Sequence, residues 1–348
     1  MKKKIALISG ITGQDGALLA KFLLNKGYIV HGIRRRSSSI NSSVRLDGIF
    51  QNKFIKNKTF FLHYGDILDS SFCHRIINEI RPTEVYHLAA QSHVAVSFEI
   101  PHYTTMTNTT GTLNFLEAIK QTNKKIKFYN ASTSEMYGSL STKYQDENTE
   151  FKPQSPYAIS KLYSHLITKN YRESYNIFAV NGILFNHESE ERGETFVTRK
   201  ISMFVAKYSI DKDGILYLGN MSSKRDWGYA PEYVEGMWKI LNYKKPEDFV
   251  LSTGKSYSVR EFLKKAFKVI NVKIKFVGKG INEKVIDLKT KKVIVKSVNH
   301  YYRPSEVTNL IGKPTKALKL LKWKSRTSLN QLVSKMLMSD IEKLSNKK

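Results

Sequence analysis

The sequence predicts an α/β fold in which a doubly wound parallel sheet is joined to a smaller C-terminal α/β lobe. The first half alternates short β-branched runs with helical patterns, which is typical of successive βαβ units. The 348 residues are too many for one small core and fit a large α/β domain with an appended lobe. The alternation becomes irregular near residue 186. We therefore predict domains at residues 1–185 and 186–348, with segments near 226–258 as candidates for a return to the first domain.

Apolar, β-branched runs mark the predicted strands, and amphipathic patterns mark the predicted helices. In the first half, the strand-like segments are KIALIS, IVHGIR, TFFLHYGD, EVYHLAA, IKFYNAS and IFAVNGILF. The helical segments between them are ALLAKFLLNKG, FCHRIINEI, TLNFLEAIKQ and YAISKLYSHLITKNYRESY. In the second half we predict helices near TFVTRKISMFVAKY, APEYVEGMWKIL and VREFLKKAFKVI, a strand at FVLST and a loop at LGNMSSKRDWG.

The formal net charge of +27 admits nucleic acid, an acidic membrane surface or an anionic small molecule as a partner. The lysines are scattered, and the densest cluster, around Lys291 to Lys296, lacks interleaved aromatic residues, so we expect no nucleic-acid partner. The single cysteine, Cys73, excludes an internal disulfide framework and fits a reducing compartment. No segment approaches the roughly 20 apolar residues of a membrane span. We expect a cytoplasmic protein with no membrane partner and no metal.

The segment ISGITGQDG follows the first predicted strand and leads into a helical pattern. Its glycines, Gly10, Gly13 and Gly16, are spaced three residues apart. Glycines at this position let the backbone turn tightly and approach a pyrophosphate, whose charge the helix N-terminus stabilises. A glycine-rich loop alone is weak evidence, but its place between a first strand and a helix predicts a Rossmann-type dinucleotide-binding domain.

The end of the second predicted strand indicates which dinucleotide binds. An acidic residue there would accept hydrogen bonds from the ribose 2′-hydroxyl of NAD, but this chain has GIRRRSSS. Arg35 and Arg36 can instead bind a 2′-phosphate, which favours NADP over the alternative of a solvated basic loop. Further along, Asp66 is a candidate partner of the adenine. Ala89 and Ala90 would let the backbone pass close to the cofactor.

The segment SPYAISK places Tyr157 and Lys161 four residues apart on a predicted helix, so both side chains lie on one face. Lowering a tyrosine pKa from about 10 to near 7 requires roughly 4 kcal/mol of differential stabilisation. A neighbouring lysine and a positive nicotinamide ring can supply it. Tyr-x-x-x-Lys is common by chance, but behind a cofactor-binding fold it predicts the base that accepts a hydroxyl proton during hydride transfer.

A carboxylate stands in the segment NASTSEMYG, directly after the fifth predicted strand. Glu135 lies among small hydroxyl residues, and sequence statistics alone favour an ordinary solvated loop charge. The role of Glu135 depends on which other groups reach the carboxyl end of this strand.

Eight motifs together give the chain a family resemblance: GITGQDG, LAAQSHVAVSFE, STSEMYG, SPYAISK, FAVNGILFNHES, RGETFVTRKI, KRDWG and YYRPSEV. These motifs cover nearly the whole chain, which strongly resembles the GDP-mannose 4,6-dehydratases, a family of extended short-chain dehydrogenase/reductases. The resemblance implies NADP, a GDP-sugar substrate and a cytoplasmic homo-oligomer, either a dimer or a tetramer.

The resemblance also implies a reaction. Tyr157, Lys161 and NADP would oxidise C4 of the sugar, Glu135 would remove the C5 proton, water would leave from C5 and C6, and the hydride would return to C6. Thr133 would hydrogen-bond the C4 oxygen and Ser134 would position the sugar. The implied cofactor-binding residues are Gly10, Thr12, Gly13, Gln14, Asp15, Gly16, Arg35, Arg36, Asp66, Ile67, Leu88, Ala89, Ala90, Ser92, Tyr157, Lys161, His187 and Arg192. The implied substrate-binding residues are Ser92, Glu135, Asn186, Val197, Lys200, Gly219, Arg225, Arg303 and Glu306.

The chain departs from the family pattern at two places. The family form His-Glu-Ser-Pro-Arg-Arg-Gly is HESEERG here, so that Glu190 and Glu191 replace a proline and an arginine. The segment RRRSSSINSSVRLDG is one residue longer before Arg45 than the family form. Acids at 190 and 191 could accept hydrogen bonds from extra sugar hydroxyls, which keeps GDP-D-glycero-D-manno-heptose open as the substrate beside GDP-D-mannose, or they could form a structural contact.

Two other functions remain open from the sequence. An NADP-dependent nucleotide-sugar epimerase or a net oxidoreductase would use the same fold and the Tyr157–Lys161 pair, but would leave Glu135 without a task. A non-catalytic NADP sensor or nucleic-acid-binding relative would suit the high charge. The joint presence of Thr133, Glu135, Tyr157 and Lys161 favours the dehydratase.

Overall fold

The computed structural model describes residues 3–36, 44–50, 58–139 and 143–346. Its helices are α1 Gln14–Asn25, α2 Asp47–Phe50, α3 Ser70–Ile80, α4 Val96–Glu99, α5 Pro101–Thr122, α6 Pro156–Tyr175, α7 Val197–Asp211, α8 Ala230–Leu241, α9 Val259–Val269, α10 Thr315–Leu321 and α11 Leu329–Ser345. Its strands are β1 Ile5–Ser9, β2 Ile29–Arg34, β3 Phe60–Tyr64, β4 Glu84–His87, β5 Lys127–Thr133, β6 Ala179–Leu184, β7 His187–Glu188, β8 Leu216–Leu218, β9 Lys224–Arg225, β10 Gly228–Tyr229, β11 Phe249–Leu251, β12 Tyr257–Ser258, β13 Ile274–Val277, β14 Lys284–Asp287 and β15 Val293–Ser297.

A seven-stranded parallel sheet, in the order β11-β6-β5-β4-β1-β2-β3, forms the centre of the described chain. The chain runs outward from β1 through β2 to β3, then returns to place β4 on the other side of β1. In an open parallel sheet, such a change of direction leaves a crevice at the carboxyl ends of the strands, where ligands bind. The predicted doubly wound α/β fold is confirmed.

Helices cover both faces of this sheet because their apolar residues recur on one side. On one face, Leu19 and Leu23 of α1 and Met237 of α8 are fully buried against the sheet. On the other face, α3, α5 and α6 pack together, with Phe115 and Ile119 fully buried. Burying such a side chain contributes roughly 1.5–3 kcal/mol, so the two apolar layers fix the positions of the strand ends that carry the site.

A smaller lobe is built around a four-stranded sheet in the order β13-β14-β15-β8. Helices α7, α9 and α11 pack with it around fully buried Val205, Phe262 and Met336. The helices α9 and α11 each begin with a capping box, in which a serine and the residue three positions later exchange hydrogen bonds with the backbone.

Parts of the second half of the chain pack with the first sheet. Strand β11 pairs in parallel with β6, and α8 lies against the same face as α1. Ala317, Leu321 and Trp323, in and just after α10, join the same core. The sequence indicated that segments near 226–258 could return to the first domain, but it did not predict that α10 packs there. A short helix of ordinary composition does not indicate which surface it packs against.

Two sequence observations concern membranes and the region before Arg45. Within the described ranges, no helix combines the length and apolar character needed to cross a membrane. Residues 37–43 of the segment that is one residue longer than the family form lie outside the described residues.

Candidate active site

The carboxyl ends of the central strands open into a cavity of about 710 Å³ that both lobes line. The first lobe contributes the glycine loop, the segment after β4, the end of β5 and the start of α6. The second contributes α7, the segments around Gly219 and Arg225, and the segment around Arg303. The cavity therefore lies at the crevice that the strand order defines.

The glycine loop packs too closely for side chains. Gly10 has φ +74°, and a Cβ atom on it would lie 2.8 Å from the backbone nitrogen of Ala89. A Cβ atom on Gly16 would lie 2.3 Å from the carbonyl oxygen of Gly10. The loop can therefore adopt this tight turn only with glycine, and it presents backbone N–H groups and the start of α1 to the cavity, as a pyrophosphate requires.

The residues after Gly13 connect the loop to β7. The carboxylate of Asp15 lies 2.8 Å from Nε2 of His187, whose Nδ1 donates to the carbonyl of Phe185 at 2.7 Å. Burial lowers the pKa of His187, but the charge and hydrogen bond of Asp15 and the hydrogen bond to Phe185 together outweigh burial and raise the pKa above its ordinary value. Gln14 donates to the carbonyl of His187 at 3.2 Å. Predicted cofactor residues from two distant segments thus form one hydrogen-bonded unit.

The predicted phosphate-binding arginines stand at the end of β2. Arg35 donates to the hydroxyl of Tyr103, and its guanidinium lies 5.9 Å from the centre of that ring. Arg36 is exposed. Sequence reasoning missed Tyr103, because no local signal connects the start of α5 with the end of β2.

Most of the predicted cofactor residues line the cavity, and six do not. Those outside the lining are Thr12, Arg35, Arg36, Asp66, Ile67 and Ala89. The carbonyl of Thr12 accepts from Arg45, a cavity-lining residue that the sequence did not assign. One oxygen of Asp66 accepts from the backbone N–H of Leu68 at 3.0 Å.

Three of the predicted catalytic residues form a buried cluster. Helix α6 begins after Ser155, whose hydroxyl caps it, and this places Tyr157 in the first turn. The hydroxyl of Thr133 hydrogen-bonds to that of Tyr157 and accepts from the backbone N–H of Glu135 at 3.2 Å. Burial raises the pKa of Tyr157 to about 12, and the bond from Thr133 opposes this. Burial lowers the pKa of Lys161 to about 8.

The carboxylate of Glu135 faces a cation from the other lobe. Glu135 is 7% exposed, and its Oε1 lies 3.5 Å from Nε of Arg225. Arg225 also donates to the carbonyl of Val307 at 2.7 Å and lies 3.4 Å from Glu306. The site therefore joins a candidate proton acceptor of the first lobe to a fixed guanidinium of the second.

The remaining predicted substrate residues surround this pair. Lys200 lies 4.0 Å from the ring centre of Tyr301, and a Cβ atom on Gly219 would lie 2.2 Å from the Tyr301 carbonyl oxygen. The side-chain oxygen of Asn186 is buried and accepts no hydrogen bond from the described residues. Ser92, Ser134, Val197, Arg303 and Glu306 also line the cavity. The wall is thus polar and cationic, which suits a diphosphate.

The two acids that depart from the family pattern make their side-chain contacts outside the cavity. The carboxylate of Glu190 accepts from the hydroxyl of Tyr229 at 3.3 Å, and that of Glu191 lies 3.9 Å from Lys343 on α11. Neither residue is among those that line the cavity. Contact of these acids with extra sugar hydroxyls, the basis of the heptose alternative, therefore has no support from the structure.

Comparisons with known proteins agree with this geometry. A family model described as GDP-mannose 4,6 dehydratase matches residues 7–336. The GDP-mannose 4,6 dehydratase of Dictyostelium discoideum is 50% identical over 348 residues, covering 99% of this chain and 98% of that protein. The human GDP-mannose 4,6 dehydratase is 50% identical over 343 residues, covering 98% of this chain and 92% of that protein.

Solved structures of lower identity share the fold. A dTDP-glucose 4,6-dehydratase from Streptomyces venezuelae, with NAD and TYD bound, matches with a TM-score of 0.80 at 19% identity, covering 98% of both chains. A UDP-glucose 4-epimerase from Thermotoga maritima, with UDP-glucose, matches with a TM-score of 0.79 at 22% identity, covering 98% of this chain and 99% of that chain.

The parallel sheet and the Tyr157–Lys161 pair define a short-chain dehydrogenase/reductase of the extended type. Within that class, the chain belongs to the GDP-mannose 4,6-dehydratase family. The sequence predictions of this family and of NADP as its cofactor are confirmed.

The arginines after β2 give the first testable prediction. Arg35→Asp should raise the Kd for NADP at least about tenfold, because a charge-assisted hydrogen bond is worth roughly 1.5–3 kcal/mol, and should change the Kd for NAD less. Isothermal titration calorimetry measures both constants. Arg75→Asp, which alters an exposed arginine on α3 paired with Glu79, is the control and should leave both constants unchanged. Equal losses for NADP and NAD would contradict a 2′-phosphate contact.

Proposed function

We propose that this protein is an NADP-dependent hydro-lyase that converts GDP-mannose to its 4-keto-6-deoxy form. The observation that carries the proposal is the meeting of Thr133, Glu135, Tyr157 and Arg225 in one buried cluster. An epimerase requires the tyrosine but has no use for a carboxylate beside it. The named relatives, at about half identity over nearly the whole chain, support the same reaction.

The proposed first step is oxidation at C4. Tyr157 accepts the proton of the C4 hydroxyl, and Thr133 holds the oxygen. Burial opposes this role because it raises the pKa of Tyr157 to about 12, so positive charge must stabilise the phenolate. Lys161, one helical turn further along α6, is a buried cation on the same face. When bound, NADP supplies the hydride acceptor for C4, the hydride donor for C6 and a second positive charge beside Tyr157.

The proposed second step is elimination across C5 and C6. The C4 ketone acidifies the C5 proton, which Glu135 removes. The C6 hydroxyl then leaves and takes a proton from Glu135, so that water is released. Two protons and one hydride have been removed: the protons come from the C4 hydroxyl and from C5, and the hydride comes from C4. One proton departs with the water, the other returns to C5, and the hydride returns to C6. The atoms therefore balance as loss of water without net oxidation.

The two lobes have different proposed tasks. Residues 1–185, with the later segments that join the same sheet, would bind NADP, and residues 186–348 would mainly bind the GDP-sugar. Arg225, Lys200 and Arg303 supply the cations for the diphosphate. Arg225 lies 3.5 Å from Glu135, so a bound diphosphate would compete with Glu135 for this guanidinium. We propose mannose as the sugar, because Glu190 and Glu191 contact Tyr229 and Lys343 and do not line the cavity.

We also propose a cytoplasmic homo-oligomer, a dimer or a tetramer. Helices α5 and α6 pack side by side and expose apolar residues on their outer face. Ile159 and Leu166 of α6 are 58% and 51% exposed, and Met106 of α5 is 41% exposed. Large apolar side chains clustered on one face favour a second copy of the chain as the partner.

The acid–base assignment predicts distinct defects in two variants. Glu135→Gln should lower product formation at least about 100-fold, since an amide cannot accept the C5 proton, yet still permit C4 oxidation. Tyr157→Phe should prevent both steps. Mass spectrometry of the GDP-sugar reports loss of water, and the ultraviolet absorbance of reduced cofactor reports oxidation.

Glu150→Gln, an exposed change outside the cavity, is the control and should behave as the parent. If Glu135→Gln still removes water from the GDP-sugar at the parental rate, the assigned role is contradicted. A parent enzyme that changes the sugar without changing its mass would instead indicate an epimerase.

The proposed oligomer predicts that one charged substitution in its contact surface disrupts the assembly. Leu166→Lys should shift the protein to a smaller species in size-exclusion chromatography with light scattering, because the lysine would be buried in the contact. Leu318→Lys alters a comparably exposed leucine on α10, at 49% exposure, and should leave the assembly unchanged. A monomeric parent protein would contradict the proposed oligomer. An assembly that Leu166→Lys leaves intact would contradict it as well.

A further inference from the structure

Helix α6 carries three buried polar residues four positions apart: Tyr157, Lys161 and His165. Residues at this spacing lie on one face of a helix. The first two line the cavity, whereas His165, one turn further on, does not. Its imidazole is 5% exposed, and the proposed reaction gives it no task.

The imidazole of His165 bridges two other elements. Its Nδ1 lies 3.1 Å from the hydroxyl oxygen of Ser132, near the end of β5. Its Nε2 lies 3.9 Å from the carboxylate of Asp248, just before β11. Phe151 packs edge-on against the ring at 5.1 Å. His165 therefore connects the helix of the catalytic tyrosine to the strand that ends at Thr133.

Asp248 is itself held in place. Arg172 donates to both of its oxygens, at 2.7 and 3.0 Å, and the backbone N–H of Asn181 donates at 2.8 Å. Burial alone raises the pKa of Asp248, but the hydrogen bonds and charge of Arg172, acting with the backbone hydrogen bond from Asn181, outweigh burial and keep the pKa below its ordinary value. The carboxylate thus presents a fixed negative charge to Nε2 of His165.

These surroundings define the state of the imidazole. Burial lowers the pKa of His165 to about 4; the charge of Asp248 opposes this, and those of Arg172 and Lys169 add to it. The ring is therefore neutral at pH 7 and carries a single proton. Its Nδ1 and the hydroxyl of Ser132 share a hydrogen bond, and the same hydroxyl lies 3.4 Å from Sδ of Met136.

We propose that His165 is a positioning residue that fixes the end of β5, and with it Thr133 and Glu135, through its hydrogen bond with Ser132. Ser132 directly precedes Thr133, and successive side chains of a strand point to opposite faces, so a fixed Ser132 also fixes the direction of Thr133. The hydroxyl of Thr133 contacts both Tyr157 and the backbone of Glu135. The inference rests on the proposed dehydratase function.

The consequence is kinetic, because the reacting groups need close alignment. A displacement of about 1 Å at such groups can lower a rate about 100-fold, even when its origin lies away from the reacting atoms. Loss of the Ser132–His165 bond should therefore lower kcat and leave KM nearly unchanged, since neither the cations of the second lobe nor the cofactor loop depends on it.

The test compares two replacements of His165. His165→Phe keeps a ring but has no hydrogen-bonding nitrogen, and we expect kcat to fall about tenfold while KM for GDP-mannose stays within about twofold. His165→Asn keeps a hydrogen-bonding group close to the Nδ1 position and should recover kcat to within about threefold of the parent. Ser132→Ala should reproduce the kcat of His165→Phe, and combining the two changes should add no further loss.

Thr168→Val is the matched control, since it removes a buried hydroxyl from the same helix that donates only to Ser164. It should leave kcat unchanged even if it lowers the melting temperature. A parental kcat in His165→Phe overturns the proposal, and so does a loss that His165→Asn fails to recover. If the parent leaves GDP-mannose intact, the proposed function fails, and the positioning role fails with it.

Discussion

The hydroxyl of Thr133 is the contact on which the proposed chemistry depends. It reaches the hydroxyl of Tyr157 on α6 and the backbone N–H of Glu135 beyond β5. One small side chain thus links the group proposed for C4 oxidation with the group proposed for elimination. The arrangement needs the end of β5 and the start of α6 to be held firmly, and the buried layers on both sides of the sheet do this.

Charge organises the rest of the site. Part of the high positive charge of the chain comes from Arg225, Lys200 and Arg303, which line the cavity from the second lobe. Arg225 lies 3.5 Å from Glu135, so the proposed catalytic carboxylate is paired with a cation of the second lobe. Substrate binding would then exchange one anionic partner of Arg225 for another, so that Arg225 stays paired while Glu135 is released from the ion pair.

Local patterns were sufficient to predict much of the fold. The segment APEYVEGMWKIL forms α8 over the predicted residues, and FVLST contains β11, since helical and strand periodicities are properties of adjacent residues. The glycine loop and the Tyr157–Lys161 spacing were visible for the same reason. The resemblance to a family added the second-lobe residues, which spacing alone could not have assigned.

Contacts between distant segments could not be predicted. The pairs Arg35–Tyr103, Glu135–Arg225 and Ser132–His165 are separated by 68, 90 and 33 positions, and no residue type in either segment indicates its partner. Glu190 and Glu191 show the limit most clearly. Their place in the sequence suggested the sugar, whereas packing of the loop against Tyr229 and Lys343 determines their contacts.

The central claim is that oxidation at C4 and reduction at C6 occur in one cavity on the same sugar. The most direct measurement is nuclear magnetic resonance of the product formed from GDP-mannose that carries deuterium at C4. The account predicts that this deuterium appears at C6 of the 4-keto-6-deoxy product. Loss of the label from the product, or a product of unchanged composition with the label still at C4, would contradict it.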